Sequence, residues 1–195
     1  MERFDVIFAN RYLAAWAGRE AGAAGGAAWG VAFGTEHAFW PVVLQHLLLG
    51  MNAHINLDLG IAAAETTPGV GIDGLKPDFD RINQLLADLV GDVENRLARV
   101  WPPLRRLEGF AGGVDEAVIN FSLRVARDYA WSVATAMAAE ADPVARSRRE
   151  QEVDHWSAVI GQRILHPGFR AGLVLKFVRL HERGTVADKL AILGG

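Results

Sequence analysis

His54 and Asp58 stand four residues apart in an otherwise apolar run, LQHLLLGMNAHINLDLGIAAAE, over residues 44–65. Four residues is about 6 Å of helical rise, so the two side chains leave one face and can meet. Two chemistries use that spacing. Both groups can bind one ion, or the carboxylate can orient the imidazole of a general base. The same run carries His46, Asn52, Asn56 and Glu65, and contains no Lys or Arg. Burying an amide without a partner costs about 1–3 kcal/mol, and a lone charge costs more. Each of these groups therefore needs a partner, a water, an ion or a cavity.

Their angular placement says what kind of helix holds them. At about 100° per residue, His46, His54, Asp58 and Glu65 share roughly one third of the circumference, with Gly50 among them. Gln45, Asn52 and Asn56 fall on the other side. A surface helix shows one broad polar face. Two polar stripes separated by Leu, Ile, Met and Ala imply a central buried helix, about 38–66, feeding a separate polar network on each side. His46 lies about 12 Å of rise from His54, too far to share an ion, and fits the far wall of a cavity. Asn52 and Asn56 either bond backbone carbonyls of adjacent helices or polarise a substrate carbonyl.

The rest of the chain has to position that helix, and its pattern is helical nearly everywhere. Apolar spacings predict a helix over 4–17, and the Gly and Ala of 18–34 predict a loose loop. Thr35 and Glu36 read as the start of the central helix, and Thr-Thr-Pro-Gly after residue 65 as its stop. Asp78 reads as the N-cap of a helix over 79–100, bounded by Pro102 and Pro103. Further helices are predicted over 114–140, 143–166 and 169–192. Alternation typical of strands nowhere exceeds four residues. The expectation is all-α: one helical domain over 1–195, a compact bundle of five to seven helices.

Two of those helices offer partners. Arg127, Asp128 and Trp131 belong to a polar and aromatic stripe on 114–140, which also includes Asn120 and Arg124. Glu150, Asp154 and His155 lie on 143–166, and Asp154 with His155 could complete a metal site begun by His54 and Asp58. His166 precedes Pro167 at a helix end, where it interacts with the helix dipole. His37 and His181 have polar neighbours and read as exposed.

Composition narrows the classes. With no Cys, disulfides, thiolate metal sites and a Cys nucleophile are excluded. The net charge is −3 and the isoelectric point about 6.1, without a basic stripe, which argues against nucleic acid as a partner. The N-terminal stretch lacks a continuous apolar h-region, and the most apolar stretch, 38–64, is interrupted by polar groups. A cytoplasmic protein with no membrane partner is the expectation, its oligomeric state open.

GMNAHINLDLG, with the preceding LQHLLL and the earlier DVIFANRYLAA, resembles the bacterial family catalogued as domain of unknown function 5995. DFDRINQLL and RVARDYAW resemble it as well. The resemblance implies a helical domain centred on residues 50–60 and implies no activity.

Three functions fit these residues. The first is a metal-dependent hydrolase or oxidase acting on a small, partly apolar molecule. His54 and Asp58, with Asp154 or His155 and supported by Glu65, Asp128 or Glu150, would hold Zn, Fe or Mn. The second is a metal-free enzyme with His54 as base, Asp58 orienting it, and Asn52 and Asn56 polarising a carbonyl. The third is a non-catalytic binding or scaffold protein whose polar groups fix helix register.

Overall fold

In the computed structural model of the chain, one helix, α3 (Val43–Thr66), has neighbours on every side. The residues described are 2–20, 25–35, 38, 42–67, 71–82, 96, 123–182 and 184–194. The fold is all-α, with no strand among the described residues. Around α3 lie α1 (Glu2–Glu20), α2 (Ala27–Phe33), a 3₁₀ turn (Ile72–Leu75), α4 (Leu123–Ala139) and α5 (Pro143–Leu165). These belong to one compact unit, Met1–Arg81 with Leu123–Leu165. A second unit, Ile82–Ser122 with His166–Gly195, contains α6 (Phe169–His181) and α7 (Val186–Gly194). Most of the helix expected over 79–100, its Pro102–Pro103 boundary, the start of the one expected over 114–140, Asn120 and His37 lie outside the described residues.

α3 is apolar enough to cross a bilayer by length and composition, with a mean hydropathy of 1.3. Yet 72% of that window is covered by the rest of the chain, which makes it the core helix. Leu49, Ile55 and Leu59 are inaccessible, while Leu48 is only half-buried. The helix starts at Val43, later than Thr35–Glu36 suggested, because Val42 is extended (φ −74°, ψ 162°) and breaks any run from upstream. Gln45 closes this start: its Oε1 accepts from the Val42 N–H at 3.1 Å.

Small residues set the approach of the neighbours. A Cβ on Gly60 would lie 2.5 Å from the Ala130 carbonyl oxygen, so α4 crosses α3 almost backbone to backbone. A Cβ on Gly161 of α5 would meet Val31 at 3.1 Å and the Asn52 amide at 3.5 Å. Ala53, Ala62, Ala63 and Ala64 keep the remaining α3 contacts close.

Two elements differ from the sequence expectation. The described part of residues 18–34 is largely helical, since α1 continues to Glu20 and α2 covers Ala27–Phe33. The glycines of this stretch suggested a loop, but Ala favours helix and a distant carboxylate supplies the missing cap of α2, as described below. The helix expected over 169–192 is two helices. Gly184 takes φ +86°, and Thr185 and Asp188 bond each other's backbone N–H groups to start α7. These bonds hold the Asp188 carboxyl below its ordinary pKa.

Gly60→Ala should cost about 2 kcal/mol through overpacking against α4, a fall of roughly 4–8 °C in the thermal midpoint. Gly50→Ala, where a Cβ meets nothing within 4 Å, should be neutral or stabilise by up to about 1 kcal/mol. Circular-dichroism melts of the two variants check the contrast.

Candidate functional site

The centre of the site is an Asp58 carboxylate whose side chain is 2% exposed. Three donors surround it. Arg11 Nε donates to Oδ1 at 3.0 Å, Trp29 Nε1 donates to Oδ2 at 3.0 Å, and His54 Nδ1 lies 3.3 Å from Oδ2. A carboxylate only accepts, so in the neutral ring this contact favours the tautomer with the proton on Nδ1, which leaves Nε2 as the acceptor.

Each donor reaches Asp58 for a local reason. Arg11 sits on the buried stripe of α1, in register with Phe4, Phe8 and Ala15. Its other nitrogens donate to Glu150 of α5 at 2.8 Å and to Glu65 at 3.5 Å. Burial alone would pull the guanidinium's pKa down. The hydrogen bond to Glu150 and the charges of Asp58 and Glu150 outweigh it and hold Arg11 above its ordinary value. Trp29 belongs to α2, whose N-terminus is fixed by Asp154: its two oxygens accept from Ala27 N at 2.6 Å and Ala28 N at 2.8 Å. Only glycine fits at position 26, which has φ +103° and would drive a Cβ to 2.9 Å from the same carboxylate. Asp154 thus helps the site at one remove, by starting the helix that delivers the indole.

His54 and Asp58 both lie in a π-helical segment, Ala53–Leu59, inside α3. Such i→i+5 segments are rare and recur at functional sites. The imidazole stacks on Phe8, with centroids 3.8 Å apart and planes 13° apart. Tyr12 and Trp29 flank it, each at 6.1 Å. Its side chain remains 31% exposed, so one side of the ring meets solvent. The arrangement is a solvent-reachable imidazole with an aromatic wall and a buried carboxylate at its Nδ1. It can accept a proton at Nε2 and return it.

The second stripe of α3 does a different job. Gln45 Nε2 donates to the Ile164 carbonyl at 2.7 Å, and Asn52 Nδ2 to the Ser157 carbonyl at 2.8 Å. Asn56 Nδ2 donates to Asn52 Oδ1 at 2.9 Å. Asn52 and Asn56, for which the sequence left open a structural bond to a neighbouring helix or a role among the reacting groups, are buried in this bond network between α3 and α5.

Of the other expected residues, Glu65 and Glu150 join the site through Arg11. His155 is exposed and packs edge-on to Trp156. Asp128 is exposed. Trp131 packs on Phe79 under Lys76. Arg127 is half-buried; Nε and Nη2 have no hydrogen-bond partner among the described residues, and burial lowers its pKa. His46 is half-buried near the start of α3. The proposed metal quartet of His54, Asp58, Asp154 and His155 is not assembled. Asp154 is committed to α2, His155 faces solvent, and no three His, Asp or Glu side chains among the described residues could hold an ion together.

A family model for a family of unknown function, DUF5995, matches residues 1–167. The chain belongs to that family. The match spans every element of the site, from Arg11 on α1 to Glu150 on α5. No curated protein and no solved structure matches the chain.

Arg11, Trp29, Phe8 and Tyr12 were not among the candidates from the sequence. Arg11 left a signal, a cation on the apolar stripe of an amphipathic helix. Trp29 left none, because its helix is capped from 127 residues away.

Arg11→Leu should strand the buried Asp58 and cost about 3 kcal/mol, and Asp58→Leu should cost a similar amount. The double replacement should cost less than the two losses added together. Urea unfolding of the four proteins gives the coupling; strict additivity would mean that the contact carries no energy.

Proposed function

We propose that the chain is a metal-independent acid–base enzyme acting on a small, partly apolar molecule, with His54 as the group that moves the proton. One observation carries this reading. The Asp58 carboxylate is buried, held by Arg11 and Trp29, and contacts Nδ1 of a partly exposed His54, which leaves Nε2 of the neutral ring as the proton acceptor beside an aromatic wall. In this reading Asp58 is the positioning residue, which sets the tautomer and steadies the imidazolium formed during turnover.

The charges around the site narrow the substrate. Three carboxylates surround the Arg11 guanidinium, with Arg3 beyond it at the Glu65 carbonyl, so among the described residues the balance beside the imidazole leans negative. A phosphate or carboxylate substrate would be repelled, and a neutral or amine-bearing one accepted. Phe8, Tyr12 and Trp29 suit an apolar or planar body.

A resident Zn, Fe or Mn ion has less support. Both oxygens of Asp58 already accept from N–H donors, and the Arg11 guanidinium, a cation, occupies the space against Oδ1. An ion there would have to displace the Arg11 or the Trp29 hydrogen bond to Asp58.

The test is a panel of small apolar esters, lactones and carbonyl compounds with an exchangeable α-proton, assayed with chelator present. His54→Ala should lower turnover by about 100-fold or more. Asp58→Asn should retain binding and lose turnover, since an amide can hold the wrong tautomer. Turnover equal in wild type and His54→Ala, or turnover abolished by chelator, would contradict the proposal.

A further inference from the structure

The second unit carries a surface that the acid–base site does not use. Four large apolar side chains of α6 face solvent: Phe169 (82% exposed), Leu173 (50%), Phe177 (47%) and Leu180 (79%). Their spacing of four, four and three residues places them within about 80° of one another, a single ridge along a helix of about 20 Å. The opposite face is covered in the ordinary way, with Ala171 and Val178 buried and Val174 and Leu175 half-buried. The ridge is therefore not the core face of α6. It is a second apolar face.

Charge says what it fits. Lys176 lies on one flank of the ridge and Arg170 and His181 on the other, all exposed. The helix contains no Asp or Glu. The nearest carboxylate in sequence, Glu182, is turned inward with 3% of its side chain exposed. It accepts from Arg179 at 2.9 Å and Lys189 at 3.0 Å, so it is neutralised locally and does not offset the basic flanks.

We infer that α6 is a docking helix for an anionic lipid surface, lying in the plane of the membrane with the Phe169–Leu180 ridge inserted and Lys176 and Arg170 at the headgroups. Exposed Phe and Leu flanked by basic residues, on a helix too short to span a bilayer and packed into the fold by its other face, suit an element that meets the membrane interface. Each cation near such a surface adds attraction that falls off within a Debye length. A second copy of the chain fits less well. Pairing two such ridges would bring like charges together along both flanks. The family match ends at residue 167 and α6 begins at Phe169, so the surface lies beyond the matched stretch. It also departs from the expectation, from composition, of no membrane partner.

The experiment is co-sedimentation of the full chain with vesicles of phosphatidylcholine, with and without phosphatidylglycerol. The chain should pellet with the anionic vesicles, stay in solution with the neutral ones, and be released by added salt. Phe169→Ser/Leu180→Ser should weaken partitioning about tenfold or more through lost apolar burial. Arg170→Glu/Lys176→Glu should do so through charge. Both pairs are exposed, and circular dichroism confirms that the variants keep their helix content. Failure of the wild type to pellet, or equal pelleting of the serine variant, would overturn the inference. So would a dimer in analytical ultracentrifugation that the serine variant dissociates, in a chain that ignores vesicles.

Discussion

The contact between Arg11 and Asp58 is the constraint on which the first unit depends. It joins the N-terminal helix to the central one across 47 residues of sequence. The remaining nitrogens of the same guanidinium bring in Glu65 and Glu150, so one cation ties α1, α3 and α5 together. Removing two such charges from water is expensive, and a buried ion pair is weak evidence of net stability. Its value is in position. With Arg11 holding one oxygen and the Trp29 indole holding the other, Asp58 has one orientation, and His54 takes its tautomer from it.

Two features of the backbone make that orientation possible. The π-helical segment sits under His54 and Asp58, inside a helix that is otherwise α. Gly60 and the alanines that follow bring α4 against the end of this segment, which leaves the helix little freedom to slide or unwind. On the far side, the Gln45 and Asn52 amides bond carbonyls of α5, so α5 serves both polar stripes, through Glu150 on one and its backbone on the other. Buried amides that reach specific carbonyls fix the register of one helix against another more sharply than apolar contact alone.

Much of this was legible in the sequence, and the reasons are physical. The absence of Lys and Arg from residues 44–65 identified a helix with neighbours all round, because a solvated face would have carried them. The two stripes anticipated two networks, and the i, i+4 spacing anticipated the contact of His54 with Asp58. The partners were less legible. Arg11 could be recognised only as a cation on an apolar stripe. Trp29 was hidden in a Gly- and Ala-rich stretch whose helix depends on the Asp154 carboxylate, and no local pattern reports a cap supplied from so far along the chain. Asp154 itself was legible as a residue with work to do, but its work is at the N-terminus of α2. The π-helical turn left no mark in the hydrophobic period.

The central claim is that Asp58 dictates the tautomer of His54, and long-range proton–nitrogen correlation spectra of the imidazoles test it most directly. For the neutral ring the account predicts that His54 is protonated at Nδ1 and bare at Nε2, with its Nδ1 proton slow to exchange. It also predicts that Asp58→Asn shifts this ring toward the tautomer mixture of an ordinary exposed histidine. A wild-type His54 protonated at Nε2, or one averaging between tautomers as the exposed His155 should, would contradict it.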